Sequence, residues 1–552
     1  MNKLKIGLLL DFTLADKYVF GLINWAKAQD DLEISVVIVC QAIVTPLRAE
    51  FSGAAFARAL YDFSSVLFFK IVLGVEKLFL RFNKTHRSHL AEFDLKKMAG
   101  DSQVLCLPVG LSKNEYHLSE ENLNRISTLK LDLLIQFGTN KLASEILGAA
   151  SLGTIALDYH GKRSCPSVPA GFWEAYCKIS KTEFEIRHQA LSCDVDRVLV
   201  RGSFPTKFLF LLNQANLYSK SNAQLKSLLK KIASSRSLPP QQSSRPYSGR
   251  PFKQPRVHQS AAYLVKIGFR LAAKVFYKIF NIRQKWGISF IHSSWRNAAL
   301  WRSKRITAPR GHFWADPFLH SHGGKTYCFV EDFVYKTGRG HIAALELTDD
   351  GAVEVGISIK ENFHLSFPFL FYYGGDLFMC PESSEARQIR IYRCQSFPLE
   401  WELCSIAMKD VSAADSMFFE RDGKWWMLTN IDRSGLNDHC SELYLFHSSS
   451  PLNNNWIPHP QNPLRIDAEG GRNAGLILED NKIFRAAQRQ GFDQYGKGLL
   501  LYEITNLDES MYAEYLVAEI DCNFRSGLLG SHHLSTTGKI TVFDHVGRCF
   551  FP

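Results

Sequence analysis

Asp316, Glu331, Glu382 and Asp415 are the first residues here that could do chemistry, because each stands at a fixed distance from one of five turns. Eight residues before Gly324, Gly375, Gly423, Asn481 and Gly538 stand Asp316, Phe367, Asp415, Asn473 and Gly530. Seven residues after the same turns stand Glu331, Glu382, Asn430, Gln488 and His545, with Arg472, His532, His533 and Asp544 close by in register. A lone carboxylate at a strand end caps a turn or binds strand-edge amides. A repeat-equivalent set is more acid than stability requires, and gathered carboxyl groups are the raw material of acid and base catalysis.

The elements that must position them are strands. Each turn is followed by a short apolar run, such as Thr326-Tyr327-Cys328-Phe329-Val330 and Trp425-Trp426-Met427-Leu428, and preceded by another, such as Pro368-Phe369-Leu370-Phe371. The hairpins recur every 48 to 58 residues, long enough for one four-stranded blade each, which predicts a five-bladed β-propeller over residues 284–552. Equivalent positions of such blades converge on one axis, making a polar funnel of the residues above.

The N-terminal half reads differently. Apolar runs at 4–10 and 34–40 flank the helical pattern of residues 18–26, a β-α-β opening with the continuous apolar strands of a buried parallel sheet. No G-x-G-x-x-G follows the first strand, so a dinucleotide is not indicated. Residues 54–82 predict a long helix rich in Phe and Leu, for packing or dimerisation, whose charges argue against a membrane span. Residues 1–215 are expected to form this α/β domain. Residues 216–260, rich in Ser, Lys, Pro, Gln and Arg, are expected to be a disordered basic linker. Residues 261–283 predict a basic amphipathic helix, with Lys266, Arg270, Lys274 and Lys278 on one stripe, suited either to packing or to peripheral contact with an anionic membrane surface through 261–281.

Composition sets the outer limits. With 552 residues and 46% hydrophobic content the chain holds at least two globular domains. Twelve cysteines without any C-x-x-C pair imply reduced thiols in the cytoplasm, and neither a disulfide framework nor a metal site is expected. The apolar run near Met1 is too short for a signal peptide. The net charge of +11 lies largely in the linker and its flanks, so no nucleic acid partner is expected.

Two resemblances follow from these residues. The segment from Asp132 to about Arg201 resembles the folate-dependent formyltransferases, which act on methionyl-tRNA or on sugar amines. The match rests on Phe137-Gly138, Gly153-Thr154-Ile155-Ala156-Leu157-Asp158-Tyr159-His160, Phe172-Trp173-Glu174-Ala175 and Cys193-Asp194-Val195-Asp196. The resemblance implies His160 as the proton-transfer group, Asp194 as the residue holding its imidazole, and formyltetrahydrofolate as donor. Asp158 stands where that family has Asn, and an ionised carboxylate cannot donate to an oxyanion.

Residues 285–550 resemble the N-terminal propeller of the glucosamine inositolphosphorylceramide transferases and, more distantly, five-bladed glycosidases. The match rests on Phe313-Trp314-Ala315-Asp316-Pro317-Phe318, Met379-Cys380-Pro381-Glu382-Ser383, Arg472-Asn473-Ala474-Gly475, Arg485-Ala486-Ala487-Gln488 and Gly530-Ser531-His532-His533. It implies catalytic roles for Asp316, Asp415 and Glu382, with Glu331 and Glu469 as rivals. Glu331, Asn430, Arg472, Asn473, Gln488, His532 and His533 are the expected substrate-binding residues. The expected function is formyl transfer to an amino sugar, free or nucleotide-linked, with a propeller that binds or processes a glycan. The alternatives are a glycosidase or glycosyl-transferring propeller beside a degenerate formyltransferase-like domain, and a non-catalytic glycan-binding or assembly module.

Overall fold

The computed structural model describes the chain apart from residues 1–2, 12–13, 44–52, 96–102, 113–114, 139–140, 160–167, 190–195, 243–250 and 551–552. The chain divides into two compact units. One comprises residues 1–202 and 206–269, the other residues 203–205 and 270–552.

The first unit is built on a nine-stranded sheet. Its parallel centre runs in the order Gln103–Ser112, Leu32–Ile43, Leu4–Leu10, Leu133–Gln136 and Thr154–Asp158, and Lys181–Gln189 continues it antiparallel. Leu4, Ile6, Leu8 and Leu9 are fully buried, as a strand covered on both faces requires. Gly7 is needed there, because a Cβ would meet the Leu131 and Leu134 side chains at 2.7 and 2.8 Å. Helix Lys17–Lys27 starts where Asp16 accepts from the Tyr18 and Val19 amides, both at 2.9 Å.

The linker expected from residue 216 is corrected by helix Phe210–Ser235. Leu217, Leu225, Leu228, Leu229 and Ile232 recur at helical spacing and are all buried. The sparse apolar stripe is enough once it has a partner to pack on, which composition does not reveal. Residues 236–242 have no regular secondary structure, and 243–250 fall outside the described residues. The next helix spans Val257–Ile279, so residues 282–283, expected at its end, belong to a strand instead.

That strand, Ile282–Ile291, closes the second unit, which is the expected five-bladed propeller. Four sheets follow the chain in order: His312–His322 to Ala352–Ile359, Ser366–Tyr373 to Glu400–Lys409, Ala413–Arg421 to Arg465–Ile466, and Glu469–Glu479 to Tyr512–Asp521. The fifth joins the two ends of the unit. Leu528–Gly530 and Leu534–Thr536 pair with Thr541–Phe550, which pairs antiparallel with Ile282–Ile291, and Lys304–Ile306 lies outermost. The innermost strands touch in a closed circuit, so the ring has no open edge at its seam. Gly324, Gly375, Gly423, Asn481 and Gly538 all have φ between 60° and 89°, which is why glycine or asparagine stands at each hairpin.

Candidate functional site at the propeller axis

The innermost strand of the first three sequential blades carries the same irregularity. Register slips between Ala315 and Phe318, between Ser366 and Phe369, and between Ala414 and Met417. Inside each slip one residue is left-handed: Asp316 at φ 48°, Phe367 at 47° and Asp415 at 50°. That conformation costs a non-glycine residue about 1–2 kcal/mol, and its recurrence at equivalent positions marks it as built in. The fourth blade slips on both sides of Asn473.

Two groups of charges meet there. In the first, His532 stands between two carboxylates, with Nε2 3.2 Å from Asp316 Oδ1 and Nδ1 2.6 Å from Asp544 Oδ2. Asp544 also accepts from the His532 and His533 amides at 2.8 and 3.0 Å. Burial disfavours charge on His532, yet Asp544 and Asp316 raise its pKa above the ordinary histidine value. Burial pushes Asp316 up to about 7, with Asp415 and Asp544 adding and His532 opposing. Asp544 is buried too, but His532 and the amides hold it below the usual range.

In the second group, Arg472 Nε donates to Asp415 Oδ2 at 2.6 Å, and Nη2 reaches Asp415 Oδ1 and Glu382 Oε2, both at 3.2 Å. Ser384 Oγ donates to the other Glu382 oxygen at 2.8 Å. Burial pushes Asp415 up to about 6 against the pull of Arg472. Glu331 belongs to neither group. Burial, with Asp316, Glu382 and Asp544 adding, raises it well above the carboxylate range. His364 Nε2 stands 3.6 Å from Glu331 Oε1, and burial lowers the pKa of that imidazole.

The amides expected to bind substrate have another task. Asn430 donates to the Glu442 and Gly471 carbonyls and accepts from the Asn473 amide, all at 2.8 Å. Asn473 donates to the Asp415 carbonyl at 2.9 Å, and Gln488 to the Asn473 carbonyl at 3.1 Å. All three are buried; the Asn430 bonds to Gly471 and Asn473 and the Asn473 bond to Asp415 tie the third sequential blade to the fourth, and Gln488 also reaches Asp415 Oδ2 at 3.4 Å. His533 is buried as well; its ring packs 4.3 Å from Phe318 and 5.3 Å from Phe367, and burial lowers its pKa to about 3.

Trp286 and Tyr495 were not among the expected site residues. The Trp286 ring is 4.0 Å from that of His532, Tyr495 lies 5.2 Å from the same ring, and the Arg472 guanidinium is 5.2 Å from Tyr495. Tyr495 is 39% exposed. Trp286 precedes the first of the five turns, so the repeat does not mark its strand, and only the pairing of that strand with the one carrying Asp544 and His545 brings it to the site. A metal was not expected, but ligand atoms of Asp316, His532 and Asp544 lie within 4.8 Å of one another, a set of the right chemistry for a divalent cation.

In the first unit, His160 and Asp194 lie outside the described residues. Asp158 is described, and its carboxylate pairs with Arg187 at 3.1 Å.

Residues 302–529 match the family model described as glucosamine inositolphosphorylceramide transferase 1, N-terminal. The protein of that name from Oryza sativa subsp. japonica is 35% identical over 248 residues, covering 42% of this chain and 33% of the rice protein. Its namesake from Arabidopsis thaliana is 36% identical over 208 residues, covering 37% of this chain and 27% of the other. The chain thus spans a third or less of the length of these relatives. Among solved structures, the catalytic domain of the Coprinopsis cinerea GH62 alpha-L-arabinofuranosidase matches with a TM-score of 0.33 and 12% identity, over 44% of this chain and 94% of that one. Zg3597, a family 117 glycoside hydrolase of Zobellia galactanivorans, matches with a TM-score of 0.31 and 10% identity, over 48% and 91%. The propeller of this chain, over residues 302–529, is therefore what resembles the N-terminal region of the glucosamine inositolphosphorylceramide transferases.

Proposed function

We propose that the axial site of the propeller binds a glycan containing an amino sugar and transfers or hydrolyses a glycosidic bond. The observation that carries this reading is the division of the buried carboxylates. Asp316 and Asp544 share the imidazole of His532, and Asp415 and Glu382 share Arg472, while Glu331 is left among carboxylates. Cleavage of a glycosidic bond needs one carboxyl that still holds a proton and one that does not. Glu331 fits the first role, since burial and the neighbouring Asp316, Glu382 and Asp544 carboxylates favour its protonated form. Asp316, 3.2 Å from His532, which opposes the rise that burial imposes on it, fits the second.

In this reading Glu331 gives its proton to the leaving oxygen as the C–O bond breaks. The attacking hydroxyl, of an acceptor sugar or of water, forms the new bond to the sugar carbon and passes its proton to Asp316. Asp544 orients His532 and offsets its charge; Arg472 donates to both Asp415 and Glu382, holding the two carboxylates where they can accept hydrogen bonds from sugar hydroxyls. An ammonium on the sugar would answer the excess of acid at the axis, and Trp286 and Tyr495 offer apolar ring surface to the sugar face. The family match supports carbohydrate over other polar ligands, because that family is named for glucosamine and for group transfer.

A second reading, glycan binding without chemistry, is favoured by one observation: Arg472 already neutralises two of the carboxylates. Glycan-array binding together with turnover of activated amino-sugar glycosides by the full chain separates the two. Asp316→Asn is expected to abolish turnover and keep glycan binding. Array binding with no turnover by the wild type would leave the second reading, and a folded chain with neither property would end both.

A further inference from the structure

Helix Gly53–Arg81 presents an apolar face to solvent that the axial site does not use. Leu60, Phe63, Leu67, Ile71, Leu78 and, one residue beyond the helix, Phe82 are each between 53% and 79% exposed. At about 100° per residue they fall within an arc of about 100°, so they form one continuous stripe rather than scattered contacts. An exposed apolar face of this length marks an interaction surface.

The opposite face fixes the helix in place. Phe69 packs 5.3 Å from Phe172 and 5.7 Å from Phe210. The buried Glu76 carboxylate accepts from the Phe210 and Leu211 amides at 3.1 and 3.2 Å and from the Tyr263 hydroxyl. Among the described residues no helix is long and apolar enough to cross a membrane. With one face held by the fold and the other bare, this helix can only lie along what it touches.

Charge selects the occupant. Lys70, Lys77 and Arg81, all exposed, line one edge of the stripe, while Asp62 and Glu76 lie on the other side of the helix. A second copy packed on the same stripe would bring cations against cations with no acid on this face to pair them. Anionic lipid headgroups answer all three, and long cationic side chains reach headgroups while their stems stay on apolar surface. We infer that residues 60–82 dock the chain on an anionic lipid surface, the helix lying in the interfacial plane with its apolar stripe among the acyl chains. In-plane helices with an apolar stripe and a cationic flank bind in this way.

The test is flotation of the full chain with vesicles of phosphatidylcholine alone or with phosphatidylglycerol. The chain is expected to float with the anionic vesicles. Each cation contributes about five-fold in affinity at such a surface, so Lys70→Glu, Lys77→Glu and Arg81→Glu combined reduce binding to that on neutral vesicles. Phe63→Gln with Ile71→Gln, both exposed positions, is expected to weaken it about ten-fold or more at unchanged Tm. Leu67→Trp supplies a second readout, an emission blue shift only with anionic vesicles. No flotation overturns the inference. So does flotation indifferent to both sets of substitutions, which would move the contact elsewhere, and so does a dimer in solution that Phe63→Gln with Ile71→Gln dissociates.

Discussion

Replacing Arg472 by methionine removes the cation that holds Asp415 and Glu382 together. Three hydrogen bonds to two carboxylates are lost, and the side chains of Asp415 and Glu382 are only 2% and 10% exposed, so water cannot replace them. Breaking a buried pair in this way costs about 3–5 kcal/mol, mostly as uncompensated buried charge. The penalty depends on pH, with a definite sign. Asp415 already sits at about 6, raised from 3.8, and loss of Arg472 raises it further. A group whose folded pKa is raised contributes stability below its unfolded pKa and loses it as pH rises through the folded value. The deficit of Arg472→Met is therefore largest near pH 8 and shrinks toward about pH 5, as Asp415 takes up a proton. Adding Asp415→Asn removes one stranded charge and is expected to recover about 1–3 kcal/mol. Urea denaturation of the full chain followed by tryptophan fluorescence reports this, since only Trp25 and Trp173 lie outside the propeller. A loss below about 0.5 kcal/mol near pH 8, or one that grows on acidification, would refute the reasoning.

Glu76 is raised from 4.5 to about 7 by burial, so it withdraws about 3 kcal/mol as pH rises through that window; Glu76→Gln should flatten the stability profile of the first unit there, and an unchanged slope in thermal scans would count against it. Trp286→Ala should weaken glycan binding about ten-fold without shifting the propeller transition; equal affinity by calorimetry would remove Trp286 from the site. Deleting residues 541–550 takes away the strand that pairs with Ile282–Ile291 and closes the ring. The deletion should abolish the cooperative propeller transition, and a retained transition would show that the ring is stable open.

Much of the propeller was legible because its signals are local. A glycine or asparagine at each hairpin and apolar runs on either side depend only on neighbours along the chain, and they recur often enough to count blades. The carboxylates at equivalent positions were legible for the same reason, and Asp316, Asp415, Glu331 and Glu382 do meet near the axis. The seam between Ile282–Ile291 and Thr541–Phe550 was not, since pairing across the whole unit leaves no mark in either segment. Residues 216–235 of helix Phe210–Ser235 carry the composition of a linker, because a thin apolar stripe becomes a helix only when something covers it.

By itself, the sequence determined the two-part plan, the strand periodicity, the number of blades and which residues share an equivalent position. Tertiary structure alone decided what those residues became. It placed Arg472 on Asp415, His532 between Asp316 and Asp544, and Asn430 and Asn473 in the ring rather than at a ligand, and it set Glu331 among carboxylates with the His364 imidazole 3.6 Å away. The reason is physical: hairpin turns and alternation are set within a few residues, whereas a carboxylate takes its charge state from burial and from partners tens to hundreds of residues away.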